Sequence, residues 1–325
     1  MRKILVTGGA GFIGSNLCEE LVKKGNYVVC LDNFSTGHIE NIQGLLDNNR
    51  FKLIEGDIRN LDTCLKAVNG VDVVFHEAAL GSIPRSIDDP ITTNAVNISG
   101  FLNMLVAAKN AKIDRFIFAA SSSAYGDNET IPKVEDTIGK PLSPYALTKY
   151  VDELYAHVFS ITYGLKYIGI RYFNVFGRRQ DPNSAYAAVI PLFIKKILKH
   201  EQPIINGDGS NSRDFTYIDN IIHINMLALE TLSPKAFNQI YNGAGGENTS
   251  VLELEQLITK NLSAYDNCID CIVPIFGPNR IGDVKHSKAS ISKAKELLGY
   301  NPVCTFEDGL KKTIYWYLTN LKGKI

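Results

Sequence analysis

Tyr145 and Lys149 lie four positions apart, directly after Pro144, in a stretch whose apolar spacing predicts a helix. Residues four apart share one helix face, so a phenol and an ammonium would point into the same space. Of the 15 tyrosines, Tyr145 alone has a lysine four positions later. A phenol ionises near pH 10, and a neighbouring ammonium favours its phenolate, which makes Tyr145 a candidate general base near neutral pH. The same spacing also occurs in ordinary surface pairs, so its surroundings must decide. Ser121, Ser122 and Ser123 follow a β-branched and aromatic run, and a hydroxyl at a strand end could pass a proton between a substrate and Tyr145.

A second chemical signal opens the chain. Thr7-Gly8-Gly9-Ala10-Gly11-Phe12-Ile13-Gly14 follows an apolar strand and leads into a helical pattern. Glycines there let the backbone approach a pyrophosphate, and the helix N-terminus offers free N–H groups to it. Asp32 ends the next apolar run, where an acid can bond a ribose 2′-hydroxyl. A carboxylate there repels a 2′-phosphate, and no arginine follows in Asn33–Gly37, so the pattern favours NAD over NADP. Asp57, after the third run, is placed to meet an adenine amine, to cap the helix before Leu61, or both. Ala78-Ala79-Leu80 follows the fourth run, and small residues there admit a cofactor close to the backbone.

These groups require a scaffold of alternating strands and helices. Candidate strands are 3–7, 27–31, 51–55, 72–75, 115–120 and 167–171; candidate helices are 13–24, 63–68, 91–111 and 144–163. Alternation of this kind predicts right-handed βαβ units and a parallel sheet buried on both faces. After about residue 172, Gly, Pro, Asn and Arg gather in loops between helices expected at 187–200, 219–232, 251–262 and 306–321. The expected fold is α/β, a Rossmann-type doubly wound parallel sheet with a smaller C-terminal substrate-binding lobe. Residues 1–175 form the dinucleotide-binding part, with a return segment at about 217–245; residues 176–216 and 246–325 form the lobe.

Composition removes several classes. Lys+Arg and Asp+Glu both number 34, without the basic face that a nucleic-acid binder needs. No secretory leader and no apolar run of about 18 residues is evident, so neither export nor membrane crossing is expected. The six cysteines are scattered, as in a reduced cytoplasmic protein. Cys268 and Cys271 form a CxxC with no second ligand pair at zinc spacing, so no metal is expected.

Taken together, Thr7–Gly14, Asp32–Gly37, His76–Ala79, Ser121–Gly126, Tyr145/Lys149, Arg171–Asn174 and Arg280–Asp283 resemble the extended short-chain dehydrogenase/reductase superfamily. Within it, the chain is similar to the UDP-hexose and UDP-N-acetylhexosamine 4-epimerases over nearly its whole length. The resemblance implies NAD held by Gly8, Gly11, Phe12, Ile13, Gly14, Asp32, Asn33, Ser35, Gly37, Asp57, Ile58, Ala78, Tyr145 and Lys149. It implies Tyr145 as base, Lys149 on the nicotinamide ribose, and Ser121 as the assisting hydroxyl, with the choice among the three serines open. Ser82, Ser122, Ser123 and Ser287 take sugar-pocket positions. Asn174 contacts the diphosphate or sugar, Arg213 and Arg280 the phosphates, and Asp283 the uridine ribose. Related dehydratases and decarboxylases carry acids where this chain has Ser122-Ser123-Ala124. The implied reaction is C4 epimerisation of UDP-GlcNAc and UDP-GalNAc, with UDP-Glc/UDP-Gal as further substrates, NAD remaining bound throughout. Alternatives are a UDP-glucuronate 4-epimerase, another sugar-nucleotide-modifying enzyme of this scaffold, and a non-catalytic NAD sensor. Relatives imply a homodimer built through the helices at 91–111 and 144–163.

Overall fold

A computed structural model describes residues 1–184, 186–278 and 285–320. Seven parallel strands form the main sheet: β1 Lys3–Thr7, β2 Tyr27–Asp32, β3 Phe51–Glu55, β4 Val73–His76, β5 Arg115–Ser121, β6 Tyr167–Tyr172 and β7 Gln239–Gly243. Their order across the sheet is β7-β6-β5-β4-β1-β2-β3. Side chains alternate faces along a strand, and this sheet is covered on both. Ile4, Val6, Cys30, Phe75, Ile117 and Ile170 enter one core. Leu5, Val29, Leu31, Val74, Phe116 and Phe118 enter the other.

The strand order diverges between β1 and β4, and a crevice opens there at the carboxyl ends. Helix α1 Phe12–Lys23 and the short α3 Ile83–Asp88 contribute to its lining, while α2 Leu61–Ala67 follows β3 without reaching it. The segment expected as one α-helix over 91–111 is a continuous helix α4, Pro90–Asn110, with a π-helical stretch at Ala95–Gly100. By length and composition alone α4 is long and apolar enough to cross a membrane, as core helices of globular proteins also are; here it packs along α2 and the next helix. That helix, α5, runs over Pro144–Tyr163 as its spacing predicts. Ser143 Oγ accepts the Ala146 N–H at 3.1 Å, Pro144 takes the first turn, and Gly164 closes the helix at φ 73°.

Beyond β6 the chain builds α6 Val189–Leu198, α7 Ile218–Glu230, α8 Val251–Ser263, α9 Ser292–Leu298 and α10 Phe306–Asn320. Between them lie three small sheets, one of which joins Ser212–Arg213 to Thr249–Ser250 and His286–Ser287. The chain rejoins the main sheet through β7, which pairs with β6. Phe193, Ile194, Leu254, Ile258, Leu310 and Ile314 belong to the same core as Ile4 and Val6, so the lobe and the sheet share one interior.

Candidate active site

The crevice is a cavity of about 570 Å³. One end is made by the β1–α1 turn. Gly8 has φ +66°, and a Cβ there would sit 2.7 Å from the Ala78 nitrogen; one on Gly14 would sit 2.1 Å from the Gly8 oxygen. Side chains would push α1 off the turn. Gly11 leads into α1 with no side-chain cap and no acid in the first turn, so the N–H groups at Phe12, Ile13 and Gly14 open on the cavity. That is an anion seat.

Asp32 ends β2 on the same wall. Its Oδ2 accepts the Ala10 N–H at 2.9 Å and its Oδ1 the Phe34 N–H at 2.8 Å. Each oxygen keeps a second lone pair for a ribose hydroxyl. Gly37 does not line the cavity; it lies against Asp32, where a Cβ would come within 3.0 Å of both carboxylate oxygens. Asp57 lines the far end with Ile58, Asn33 and Ser35. The Arg59 guanidinium holds the Asp57 carboxyl down to about 2, and Asn33 Nδ2 donates to it at 2.8 Å. Asp57 does not cap α2: Asn60 does, its Oδ1 accepting from Thr63 at 2.9 Å. The cause is local, since Asp57 closes a turn on the Arg59 N–H at 2.8 Å.

Ala78, Ala79, Leu80 and Val96 form the floor. Asn97, buried in the π-helical stretch of α4, accepts the Leu80 N–H at 2.8 Å and donates Nδ2 to the Leu80 carbonyl at 3.1 Å and to Thr148 Oγ1 at 3.0 Å. Thr148 stands between Tyr145 and Lys149, so Asn97 ties floor to helix. Sequence reading missed it. Its signal is a buried amide within an apolar helix, which must satisfy its hydrogen bonds.

Tyr145, Lys149, Ser121, Ser122 and Ser123 converge at the other end, all lining the cavity. Lys149 is 3% exposed, and its Nζ donates to the Ala119 carbonyl at 3.0 Å and to Asp152 Oδ2 at 3.3 Å. Ser123 donates Oγ–H to Ser121 Oγ at 2.9 Å, which joins two of the candidate hydroxyls. Glu77 and Tyr172 also line the cavity, and neither was singled out as a site residue from the sequence. Glu77 accepts from Tyr172 Oη at 3.0 Å, and Asn225 Nδ2 donates to that same phenol oxygen at 2.9 Å. Burial pushes the Glu77 carboxyl up to about 7, against the opposing effects of Tyr172 and Lys149. His76, behind it, is driven down to about 3 by burial and by Lys149, and so stays neutral.

Ser82 lines the cavity at φ +96°, and its Oγ caps α3 by accepting from Arg85 at 3.3 Å. Asn174 also lines it, at φ +34°, and donates Nδ2 to the Asp214 carbonyl at 3.2 Å. Arg213 and Ser287 do not line the cavity. They face each other in a small-sheet register beyond Asn174, with Arg213 Nη1 donating to the carbonyls of Ser212 and Lys285. Arg280 and Asp283 fall outside the described residues.

Glycine cradle, helix N-terminus and fixed ribose acid fit a dinucleotide with its pyrophosphate over Gly11–Gly14. Comparisons with known proteins agree. The "NAD dependent epimerase/dehydratase family" profile matches residues 4–243. A UDP-N-acetylglucosamine 4-epimerase from Methanobrevibacter ruminantium M1, solved with UDP-N-acetylmuramic acid, is 39% identical with a TM-score of 0.89, covering 98% of each chain. A UDP-glucuronic acid 4-epimerase from Bacillus cereus, solved with UDP-glucuronic acid and NAD, is 36% identical with a TM-score of 0.89, covering 97% of this chain and 98% of its own. A UDP-glucose 4-epimerase of Mycolicibacterium smegmatis is 34% identical over 97% of this chain and 98% of its own. With this profile, these relatives and the cleft described above, the chain belongs to the NAD dependent epimerase/dehydratase family, an extended short-chain dehydrogenase/reductase with NAD as its cofactor.

Proposed function

We propose that the chain is a UDP-sugar 4-epimerase interconverting UDP-GlcNAc and UDP-GalNAc, with UDP-Glc and UDP-Gal as further substrates. The observation that carries this reading is the meeting of Tyr145, Lys149 and Ser121–Ser123 at one end of a cleft whose other end is a dinucleotide cradle. NAD, when bound, supplies hydride acceptance and return at C4. Tyr145 takes the C4 hydroxyl proton and gives it back after the ketone has turned. Lys149 holds positive charge beside that phenol and favours its ionised form. Ser121, accepting from Ser123, orients the hydroxyl. Ser122-Ser123-Ala124 offers no acid to protonate a leaving hydroxyl, which disfavours dehydration.

A glucuronate substrate is the second reading, supported by the likeness to the Bacillus cereus enzyme. Against it, Lys149 is the one cation among the described lining residues, and Glu77 adds an acid. In this reading Ser82, Ser122, Ser123 and Ser287 meet a neutral, polar sugar and Asn174 the diphosphate or sugar, with Arg213 and Arg280 on the phosphates and Asp283 on the uridine ribose.

The helices α4 and α5 suit a homodimer. Leu147, Leu154, Val158 and Ile161 form an exposed apolar stripe on α5, and Ile91 on α4 is 81% exposed. Residues 1–175 with 217–245 act as the NAD-binding part, and 176–216 with 246–325 as the substrate lobe, in a cytoplasmic protein.

The test is incubation of purified protein with UDP-GlcNAc, UDP-Glc and UDP-glucuronate separately, without added NAD, followed by proton NMR. Conversion of the first to its C4 epimer is expected. Tyr145→Phe should keep its NAD and lose turnover by about 10²–10⁴-fold. Release of water, CO2 or stoichiometric NADH would refute the reading.

A further inference from the structure

Asp152 lies three residues beyond Lys149 on α5 and is fully buried. Its Oδ2 meets Lys149 Nζ at 3.3 Å, while Oδ1 has no hydrogen-bond partner among the described residues. Lys149 gives one hydrogen to this carboxyl and one to the Ala119 carbonyl. An ammonium carries three, so one remains for the cleft that Lys149 lines.

A buried ion pair with one carboxylate oxygen unbonded is a poor way to hold a helix. Desolvation of such a pair offsets most of its attraction, and neutral replacement of both partners is commonly harmless to stability. The carboxyl's place therefore makes physical sense at the cleft rather than in folding. We propose that Asp152 is a positioning residue: it fixes Lys149 Nζ between α5 and β5 and offsets part of the positive field that Lys149 presents to Tyr145. This rests on the assignment of Tyr145 and Lys149 made above.

The groups facing the pair come from several elements. Glu153, on the same helix, is tied to Arg171 of β6 at 2.7 Å. His76 of β4 is held neutral, and Glu77 beyond it is bonded to Tyr172 of β6. From α4 comes the neutral amide of Asn97. Burial pushes the Asp152 carboxyl up to about 7, against the pull of Lys149.

Asp152→Asn removes the charge at nearly constant volume, and Asp152→Ser is made beside it so that amide packing does not decide the outcome. Asp152 is two helical turns from Tyr145, so at about 10 Å and an effective dielectric near 20 the carboxylate is worth about one pH unit. The acid limb of the pH–rate profile should move down by about that amount. The phenolate ultraviolet difference signal, each protein read against its own Tyr145→Phe partner, should move with it. The melting temperature should fall, because Lys149 is left buried without its partner, so the profile and the phenolate signal decide the matter.

An unmoved profile and an unmoved phenolate signal, with Tyr145→Phe inactive, would overturn the role of Asp152 alone. So would a fall in melting temperature without any shift in profile, which is what a purely structural carboxyl predicts. Turnover retained in Tyr145→Phe would overturn the site assignment and this inference together.

Discussion

Glu153→Gln tests how the active-site helix is held to the sheet. Arg171 of β6 grips Glu153 of α5 with two bonds, Nε to Oε1 at 2.8 Å and Nη2 to Oε2 at 2.7 Å. Its Nη1 donates to the Glu135 carbonyl at 2.9 Å, and its guanidinium carbon lies 4.7 Å from the centre of the Tyr125 ring. Both side chains are buried. Glutamine keeps the shape but points an NH₂ at one guanidinium N–H and leaves the Arg171 charge unbalanced. Breaking one side of a buried pair costs about 3–5 kcal/mol. With an unfolding entropy of about 2.1 cal/mol/K per residue over 325 residues, the melting temperature should fall by about 4–7 °C. Calorimetry at saturating NAD measures it. Glu153→Leu combined with Arg171→Met removes both charges and should recover most of the loss. A fall under about 1 °C, or a double variant no better than Glu153→Gln, would refute the reasoning.

Three further outcomes are expected. Gly14→Ala places a Cβ 2.1 Å from the Gly8 oxygen and 2.9 Å from the Gly9 Cα, all backbone that cannot rotate aside. It should cost about 3 kcal/mol or more and yield protein without bound NAD, read from the 260/280 nm absorbance ratio. Glu77 sits at about 7 when folded against an ordinary 4.5. Between those values the folded chain keeps a proton that the unfolded chain has lost, so this group makes stability fall as pH rises from 4.5 to 7. Glu77→Gln should therefore raise the melting temperature at pH 8 but not at pH 4.5; equal shifts at both pH values would contradict the assignment. Ile161→Glu with Leu154→Glu places two charges on the exposed stripe of α5 and should turn a sedimenting dimer into a monomer; a variant that stays dimeric excludes that face.

Chemistry carried by spacing was legible in the sequence. Gly8, Gly11, Gly14, Asp32, Tyr145, Lys149 and Ser121–Ser123 follow from where strands end and which helix faces coincide, and these line the cavity, whereas Gly37, Arg213 and Ser287 do not. Six strands announced themselves as β-branched or aromatic runs. β7 did not: Gln239-Ile-Tyr-Asn-Gly243 is short and half polar, because Asn242 serves buried partners such as Tyr125 Oη at 2.7 Å rather than a core. Glu77, Tyr172 and Asn97 escaped for a related reason. Each is a polar group whose partner lies far along the chain, as with Tyr172 and Glu77 across 95 positions, and no local spacing encodes such a meeting. The short α3 was hidden by Pro84, which reads as a turn until Ser82 is seen to cap it. The π-helical stretch of α4 is likewise invisible to a search for 3.6-residue periodicity.

The placement of β7 has a consequence for how the polypeptide emerges from a ribosome. β6 is buried along its whole length and needs β7 on its outer side. Residues 173–238 must be made first, several seconds of translation at about 5–20 residues per second. Throughout that interval the nascent chain carries an apolar strand with one bare edge, a template for pairing with its neighbours on a polysome. Chaperone demand should peak in that window and drop once Gly243 has cleared the exit tunnel.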